Sequence, residues 1–265
     1  MKHTAVDCYG VSKFLLDDIK LINEFLCDLV FHLGLEAIAP PTIIPYYYGK
    51  IKEDIGVSSY VLLSCGHVTI HTFPLRECYF LDVFSKDSFD DLKLKEFLAH
   101  NLPYEGLLSQ LNSSNREPNK YAVIPYDETL DFGPHLMLQI DNVIDFSMEE
   151  AYDFLEYIAY EIKMDPITRA NVIKDKVYNP KFISGIIVIA QSHISLHYNC
   201  DNKRIYFDIF SCMPFDYRNI SVLLSSLGDV KSNVLIPRGT KHNIKIKDNF
   251  DSLEAYSKWQ KTIIE

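Results

Sequence analysis

The sequence predicts an α+β fold built from two tandem repeats, each an α/β sandwich with an antiparallel sheet. The stretch at 58–86 recurs at 184–212, shifted by 126 positions without a gap. In addition, the same order of strand-like and helix-like patterns occurs on both sides of a joint near 126–132. Two such layers would bury their sheets against one another most simply, which predicts four layers in the order α/β/β/α. The predicted repeats are 1–128 and 129–265.

The aligned stretches share polar as well as apolar residues, and many other pairs exchange like for like, such as Val61 with Ile187 and Ile70 with Leu196. The identities are Ser58 with Ser184, His67 with His193, His71 with His197, Asp82 with Asp208, Phe84 with Phe210 and Ser85 with Ser211. Outside them, KHTAVDCYG at 2–10 resembles PHLMLQIDN at 134–142, and KYAVIP at 120–125 resembles SNVLIP at 232–237.

Each repeat predicts a short strand, a helix, a connection, three strands, a second helix and a last strand. The first helix is indicated at 14–35 by apolar residues at helical spacing. Its counterpart at 147–163 opens with Ser147 and Glu150, the spacing of a capping box. Pro- and Lys-rich connections are expected at 39–56 and 167–182.

The overall composition narrows the class of protein. A formal charge of −10 and a pI near 5.4 argue against nucleic acid or an anionic membrane as the main partner. We expect no membrane span, because no apolar run approaches 18 residues, and no signal peptide, because the N-terminal stretch MKHTAVDCYG does not resemble one. The six cysteines show no CxxC spacing, which predicts reduced thiols in the cytoplasm and no metal site.

The segment HISLH alternates along a predicted strand. His193, Ser195 and His197 share one face, and Ile194 and Leu196 take the other. Residue types alone favour a half-buried strand with a satisfied polar face, because an isolated Ser–His pair is a weak catalytic signal.

The combined pattern is more specific than its parts. It consists of Ser184, the tripeptide Gln191-Ser192-His193, His197, and a strand that ends in Cys212. The pattern resembles the small prokaryotic type of S-adenosylmethionine decarboxylase, which belongs to polyamine (spermidine) biosynthesis. Gln191 replaces the glutamate that usually precedes the cut in this family.

This resemblance implies a proenzyme that cleaves itself between Gln191 and Ser192. The Ser192 hydroxyl would attack the preceding carbonyl, and elimination would leave a pyruvoyl group at position 192. That group would form a Schiff base with an amino-acid-type substrate and take up electrons as CO₂ leaves. Cys212 stands where the family has its proton donor.

The first repeat departs from the pattern where the chemistry would occur. Gly66 replaces the serine and Lys86 replaces the cysteine, whereas Ser58 and His71 are retained. Glycine has no hydroxyl, so the first repeat cannot form a pyruvoyl group.

Family members build each site from two copies, which implies a pseudo-dimer within this one chain; a higher oligomer stays possible. In a regular strand Ser192 and His197 point to opposite faces, and only a bulge would bring His197 into reach. We therefore expect Ser58 and His71 to support processing at Ser192. The site that pairs Ser184 and His197 with the first repeat's altered positions would be inactive.

The resemblance is weakest at the substrate positions. His71 is followed by Phe73, which keeps an aromatic ring, and by Leu75 where the family has a carboxylate. Lys52 and Tyr178 occupy the two positions at which a stacking aromatic is expected. S-adenosylmethionine is the leading substrate and ornithine or arginine the alternative. A third hypothesis is a non-catalytic partner that activates a separate decarboxylase.

Overall fold

The computed structural model describes residues 1–104, 109–144, 146–176, 181–190 and 192–240. They form two compact units. By contacts, unit 1 comprises 1–63, 67–115 and the described residues from Gly239 onward, and unit 2 comprises 64–66 and 116–238. Because residues 64–66 connect two neighbouring strands of the sheet in unit 1, they are part of a hairpin of that sheet. Each unit has one sheet and a few helices, which confirms the predicted α+β class. The boundary between 128 and 129 and the four-layer arrangement stay predictions.

Unit 1 holds a six-stranded sheet in the order β2-β3-β4-β5-β1-β6. Its elements are β1 (Lys2–Tyr9), α1 (Lys13–Leu16), α2 (Ile19–His32), β2 (Thr42–Tyr46), β3 (Gly56–Leu63), β4 (Gly66–Phe73), β5 (Cys78–Ser85), α3 (Asp91–Asn101) and β6 (Gln110–Asn115), with single 3-10 turns at Lys52–Asp54 and Pro74–Arg76. Leu26 and Leu98 of the helices join Val61 and Ile70 of the sheet in one buried apolar core.

Unit 2 holds a seven-stranded sheet in the order β7-β13-β8-β12-β11-β10-β9. Its elements are β7 (Lys120–Val123), β8 (Gly133–Asp141), α4 (Met148–Glu161), β9 (Asn171–Asp175), β10 (Phe182–Ile189), β11 (Ser192–Asn199), β12 (Arg204–Phe210), α5 (Tyr217–Ser225) and β13 (Asp229–Arg238). The sheet is antiparallel except that the edge strand β7 runs parallel to β13.

The repeat predicted from sequence is visible in the three central strands. β3, β4 and β5 each begin 126 positions before β10, β11 and β12, respectively. Alternating apolar residues on these strands face the helices of their own unit. The serine–histidine pairs and the aspartates that the two repeats share lie on the other face.

The helices follow the predicted pattern with one interruption. Ser147 accepts a hydrogen bond from the Glu150 N–H at 3.1 Å, and the Glu150 carboxylate accepts from the Ser147 N–H at 2.7 Å, so the capping box is confirmed. The pattern at 14–35 is broken because Asp18 accepts from the Leu21 N–H at 3.0 Å and starts α2 as its N-cap. No helix in the described part of the chain has the length and apolarity needed to cross a membrane.

Two segments predicted as connections contain edge strands. β2 and β9 lie within the Pro- and Lys-rich stretches and pair with β3 and β10. β2 carries Pro45, which cannot donate a backbone hydrogen bond and is tolerated because the strand lies at the sheet edge. The prolines of the segment 39–56 are typical of a connection, and for this reason the sequence did not indicate β2.

The correspondence between 120–125 and 232–237 is wrong. In unit 1 it is β6 that borders β1, the place that β13 takes beside β8 in unit 2. β7 instead pairs with β13 itself, with Lys120 opposite Ser232. The two segments share the apolar composition of strands, which made a neighbour in the sheet look like a repeat equivalent.

Candidate active site

Ser192 is the first residue of β11, directly after the hairpin turn that follows β10. It lies opposite Ile189 in the β10–β11 register, and its side chain is buried. The predicted cleavage partner Gln191 lies outside the described residues.

The structure brings Ser192 and Cys212 together. The Cys212 backbone N–H donates a hydrogen bond to Ser192 Oγ at 3.0 Å. The Cys212 thiol donates to the Ala190 carbonyl oxygen at 3.6 Å. Because Ser192 Oγ accepts from the N–H, its own hydroxyl proton is left for another acceptor. A serine hydroxyl and a thiol therefore share one end of the sheet of unit 2.

The segment that carries Cys212 is fixed by its neighbours. Ser211 donates its N–H to the Pro134 carbonyl at 3.1 Å, and its Oγ accepts from the Met213 N–H at 3.0 Å. Gly133 packs on the same turn so closely that a Cβ there would overlap the Ser211 carbonyl oxygen. A glycine is therefore required at this contact, and the thiol has a defined position.

The end of β10 is covered by the segment before β9. The Ala190 N–H donates to the Asp165 carbonyl at 3.3 Å. The Val188 N–H donates to Thr168 Oγ1 at 3.0 Å. The β10 side of the turn before Ser192 is thus held by two hydrogen bonds.

Ser184 and His197 form a buried pair within unit 2. They lie opposite each other on β10 and β11, and Ser184 Oγ lies 2.9 Å from His197 Nδ1. The β10–β11 and β11–β12 registers contain no shift, so no bulge alters the faces. Ser192 lies five residues from His197 along the strand, a separation of about 16 Å. This histidine therefore cannot serve Ser192 within unit 2.

The equivalent pair in unit 1 has almost the same geometry. Ser58 Oγ lies 2.8 Å from His71 Nδ1, and both side chains are buried. Gly66 starts β4 with φ +141°, and the side chain of Lys86 is exposed. Unit 1 therefore keeps the pair but has neither the serine hydroxyl nor the thiol at the equivalent positions.

A second repeated constellation was missed in the sequence. His3 of β1 lies 3.2 Å from Asp82 of β5 in unit 1. His135 of β8 lies 3.7 Å from Asp208 of β12 in unit 2. The alignment of 2–10 with 134–142 already places His3 on His135, so the signal was present although the two stretches share little else.

Two buried arginines extend this constellation in unit 2. Arg116 donates to the Asp208 carboxylate. Arg238 lies 2.9 Å from His135 Nδ1 and 4.8 Å from the Phe210 ring centroid. Buried charges of this kind need partners, and here they form one network with Asp208 at its centre.

The predicted substrate residues have different environments. Phe73 is fully buried, with its ring edge-on to Phe80 at 5.6 Å. Lys52 lies in the exposed turn Lys52–Asp54. An ion pair between Asp54 and Arg76 at 2.8 Å holds this turn beside the one that follows Phe73. Tyr178 lies outside the described residues.

The residues present at the start of β11 fit a pyruvoyl group. Such a group is made from a serine backbone and side chain, and Ser192 supplies both. The adjacent Cys212 supplies an acid of the kind needed to protonate carbon. The corresponding place in unit 1 has Gly66, which supplies no side-chain oxygen, so it does not fit.

A family model described as S-adenosylmethionine decarboxylase matches residues 2–109 and 141–234, one segment in each predicted repeat. Among curated proteins, the S-adenosylmethionine decarboxylase proenzyme of Caldanaerobacter subterraneus subsp. tengcongensis is 29% identical over 84 residues, covering 32% of this chain and 62% of that protein. The Moorella thermoacetica proenzyme is 31% identical with the same coverage. That of Geobacillus sp. (strain WCH70) is 28% identical over 101 residues, covering 38% of this chain and 76% of that protein.

Among solved structures, the adenosylmethionine decarboxylase from Aquifex aeolicus VF5 is similar with a TM-score of 0.37 and 22% identity. The match covers 43% of this chain and 88% of that chain. The chain thus spans less than two thirds of the length of the first curated relatives it matches and most of the length of the solved one.

Proposed function

The chain belongs to the S-adenosylmethionine decarboxylase family, and from this premise we propose that it is a self-cleaving, pyruvoyl-dependent decarboxylase. The observation that carries the proposal is the contact between Ser192 Oγ and the Cys212 N–H at 3.0 Å. It joins the residue that would become the prosthetic group to the residue that would supply a proton.

Processing would begin with attack of Ser192 Oγ on the carbonyl carbon of Gln191, which replaces the peptide bond by an ester. Elimination releases the Gln191 carboxylate as a new C-terminus and leaves a dehydroalanine at position 192. Water then converts this residue into a pyruvoyl group and ammonia. In these steps the backbone N–H of Cys212 orients Ser192 Oγ, so the thiol of Cys212 is not needed for the cleavage.

In the mature protein, a pyruvoyl group supplies an electrophilic ketone that accepts electrons as CO₂ leaves a bound amino acid. Cys212 would then deliver its proton to the substrate's α-carbon. Its hydrogen bond to the Ala190 carbonyl marks the direction in which the S–H points before reaction. A positioned acid of this kind contributes roughly 10²–10⁴-fold to a rate.

We assign Ser58 and His71 as the groups that support processing and regard the Ser184–His197 pair as inactive. Support for this assignment comes from the family pattern and from the distance of about 16 Å that separates Ser192 from its own unit's histidine. A pseudo-dimer within one chain would then contain one working site.

S-adenosylmethionine is the proposed substrate because the family pattern extends to Phe73. Leu75, which is 41% exposed, cannot accept a hydrogen bond from a ribose hydroxyl, and this favours a basic amino acid as the second candidate. We propose the cytoplasm as the compartment because a cysteine that donates protons must remain reduced, and all six cysteines are free thiols.

A denaturing gel with intact mass measurement tests processing. We expect fragments 1–191 and 192–265, the second capped by pyruvate, and we expect Ser192→Ala to remain a single chain. Ser195→Ala, which alters the next serine on β11, should still cleave. An uncut wild-type chain would contradict the enzyme and favour the activating partner.

Release of CO₂ from carboxyl-labelled S-adenosylmethionine, ornithine and arginine tests the substrate. We expect release from S-adenosylmethionine by the cleaved protein and none by Ser192→Ala. Release from ornithine or arginine alone would replace the proposed substrate but keep the chemistry.

A further inference from the structure

We propose that Tyr126, in the segment that joins the two repeats, is a positioning residue for Cys212 and donates a hydrogen bond to its sulfur as the thiolate forms. The inference deepens the proposed function and rests on it for the role of Cys212. Neither the family pattern nor the repeat alignment includes Tyr126.

The topology of unit 2 brings the joining segment to the reactive end of the sheet. The Ile124 N–H donates to the Leu235 carbonyl at 2.9 Å, and the Phe132 N–H donates to the Arg238 carbonyl at 3.0 Å. Residues 125–131 therefore form a loop anchored at both ends to the last residues of β13.

β13 ends beside the start of β8, where Pro237 lies opposite Pro134. The Pro134 carbonyl accepts the Ser211 N–H, and Cys212 is the next residue. The ring of Phe132 stacks on Phe210 at a centroid distance of 6.2 Å. The loop and the thiol thus share one sheet end.

The loop is internally ordered, which gives Tyr126 a defined place. The Asp127 N–H donates to the Asp131 carboxylate at 2.8 Å. The Asp127 carboxylate accepts from the Thr129 N–H at 2.8 Å, and the Asp131 N–H donates to the Asp127 carbonyl at 2.8 Å. These bonds close one tight turn directly after Tyr126.

The Tyr126 hydroxyl is a hydrogen-bond donor that none of the described residues uses. The oxygen is buried and has no hydrogen-bond partner among the described residues. Burial raises its pKa to about 12, with further contributions from the charges of Glu128, Asp131, Cys212 and Asp127. The phenol therefore keeps its proton at neutral pH and can only gain from a negative charge that appears on Cys212.

The consequence for Cys212 follows from its change of charge. When the thiol gives its proton to carbon, the sulfur becomes an anion at a half-buried position. A donor aimed at that anion strengthens as the charge develops, so it makes the thiol a better acid and favours the step.

The test compares Tyr126→Phe with Tyr160→Phe, an exposed tyrosine on α4. The rate of alkylation of Cys212 by iodoacetamide is measured against pH by peptide mapping, with the exposed Cys27 of the same molecule as internal reference. Loss of a hydrogen bond to a charged group should shift the Cys212 midpoint upward by about one pH unit or more, or about tenfold in rate at neutral pH. The Cys27 profile and the melting temperature should not change.

In protein that turns over, Tyr126→Phe should also lower kcat about tenfold at unchanged KM. An unshifted alkylation midpoint overturns the inference, and so does an undiminished kcat. If the midpoint shifts but no candidate substrate releases CO₂, then Tyr126 positions the thiol as inferred and it is the proposed function that fails.

Discussion

The turn between β3 and β4 in unit 1 and the turn between β10 and β11 in unit 2 occupy equivalent places but differ in chemistry. Unit 2 follows its turn with Ser192, whereas unit 1 follows its turn with Gly66. Lys86, an exposed residue, stands where unit 2 has Cys212. In contrast, the serine–histidine pair on the adjacent strands is retained in both units with distances of 2.8 and 2.9 Å.

The difference indicates which side chains are retained because the stability of the fold depends on them. A buried serine hydroxyl and imidazole satisfy each other, and removing one partner leaves a buried polar group at a cost of about 1–3 kcal/mol. Ser184 and His197 therefore persist without needing a catalytic role. Gly66 has no side chain and that of Lys86 is exposed, so no buried hydroxyl or imidazole is left unsatisfied at these two positions of the first repeat.

The largest expected effect separates self-cleavage from decarboxylation, the two reactions proposed for unit 2. Cys212→Ala removes the proposed proton donor but leaves the backbone N–H that contacts Ser192. Cleavage should be complete, while turnover should fall about 10²–10⁴-fold. The gel and the CO₂ assay measure the two quantities on one sample. Lys86→Ala, at the equivalent position of unit 1, should change neither, and an uncleaved Cys212→Ala chain would contradict the separation.

The next effect distinguishes the two serine–histidine pairs. His71→Ala and His197→Ala each break a similar buried hydrogen bond, so we expect similar losses of stability, about 1–3 kcal/mol. The rate of self-cleavage should nevertheless fall about 10²-fold or more for His71→Ala only, because only that histidine is assigned to processing. A pulse–chase experiment measures the rate of self-cleavage, and thermal melting measures the loss of stability. A stronger defect in His197→Ala would refute the assignment.

A smaller effect tests whether unit 1 can be restored. Gly66 has φ +141°, a conformation that side-chain-bearing residues rarely adopt. Gly66→Ser should therefore cost about 1–3 kcal/mol in the free energy of unfolding. It should give no cut between positions 65 and 66, even when combined with Lys86→Cys. Denaturant unfolding and a gel measure both outcomes; a new pair of fragments would show that the missing hydroxyl was the only defect.

Much of the fold was accessible from sequence because two copies report the same pattern. The strands that begin at 56, 66 and 78 were found through their counterparts 126 positions later. The edge strands β2 and β9 were missed because proline and lysine dominate their composition. β7 was misassigned because a short apolar strand carries no information about which sheet it joins.

The site was partly accessible for a related reason. Ser192 and Cys212 lie 20 residues apart, yet antiparallel pairing brings them into contact, and only a known family pattern links such positions beforehand. The contribution of Tyr126 depends on a loop anchored to β13, which is more distant in sequence. No local periodicity predicts that anchoring.

The smallest effect concerns a corner that the two units close differently. In unit 2, Arg204 contacts Asp141 through Nε and a terminal nitrogen at 2.6 and 2.7 Å. In unit 1 the equivalent corner pairs Tyr9 with Cys78, both buried. The Arg204–Asp141 ion pair should therefore stabilise unit 2 in a way that depends on pH.

Burial alone would raise the pKa of Asp141, but hydrogen bonds from Arg204 and Gln139 outweigh it and lower the pKa below its ordinary value. Stability from such a carboxylate is present above its unfolded pKa and is lost as the pH falls through its folded pKa. Asp141→Asn should thus cost about 1 kcal/mol or less at neutral pH. Its difference from wild type should begin to shrink below about pH 4, the ordinary pKa of an aspartate, and should vanish only below the lowered pKa of the folded protein. Urea unfolding of Asp141→Asn, Arg204→Gln and the double variant isolates the coupling between the two side chains. A coupling that persists unchanged at low pH would contradict the ion pair as its source and show that packing holds this corner of unit 2.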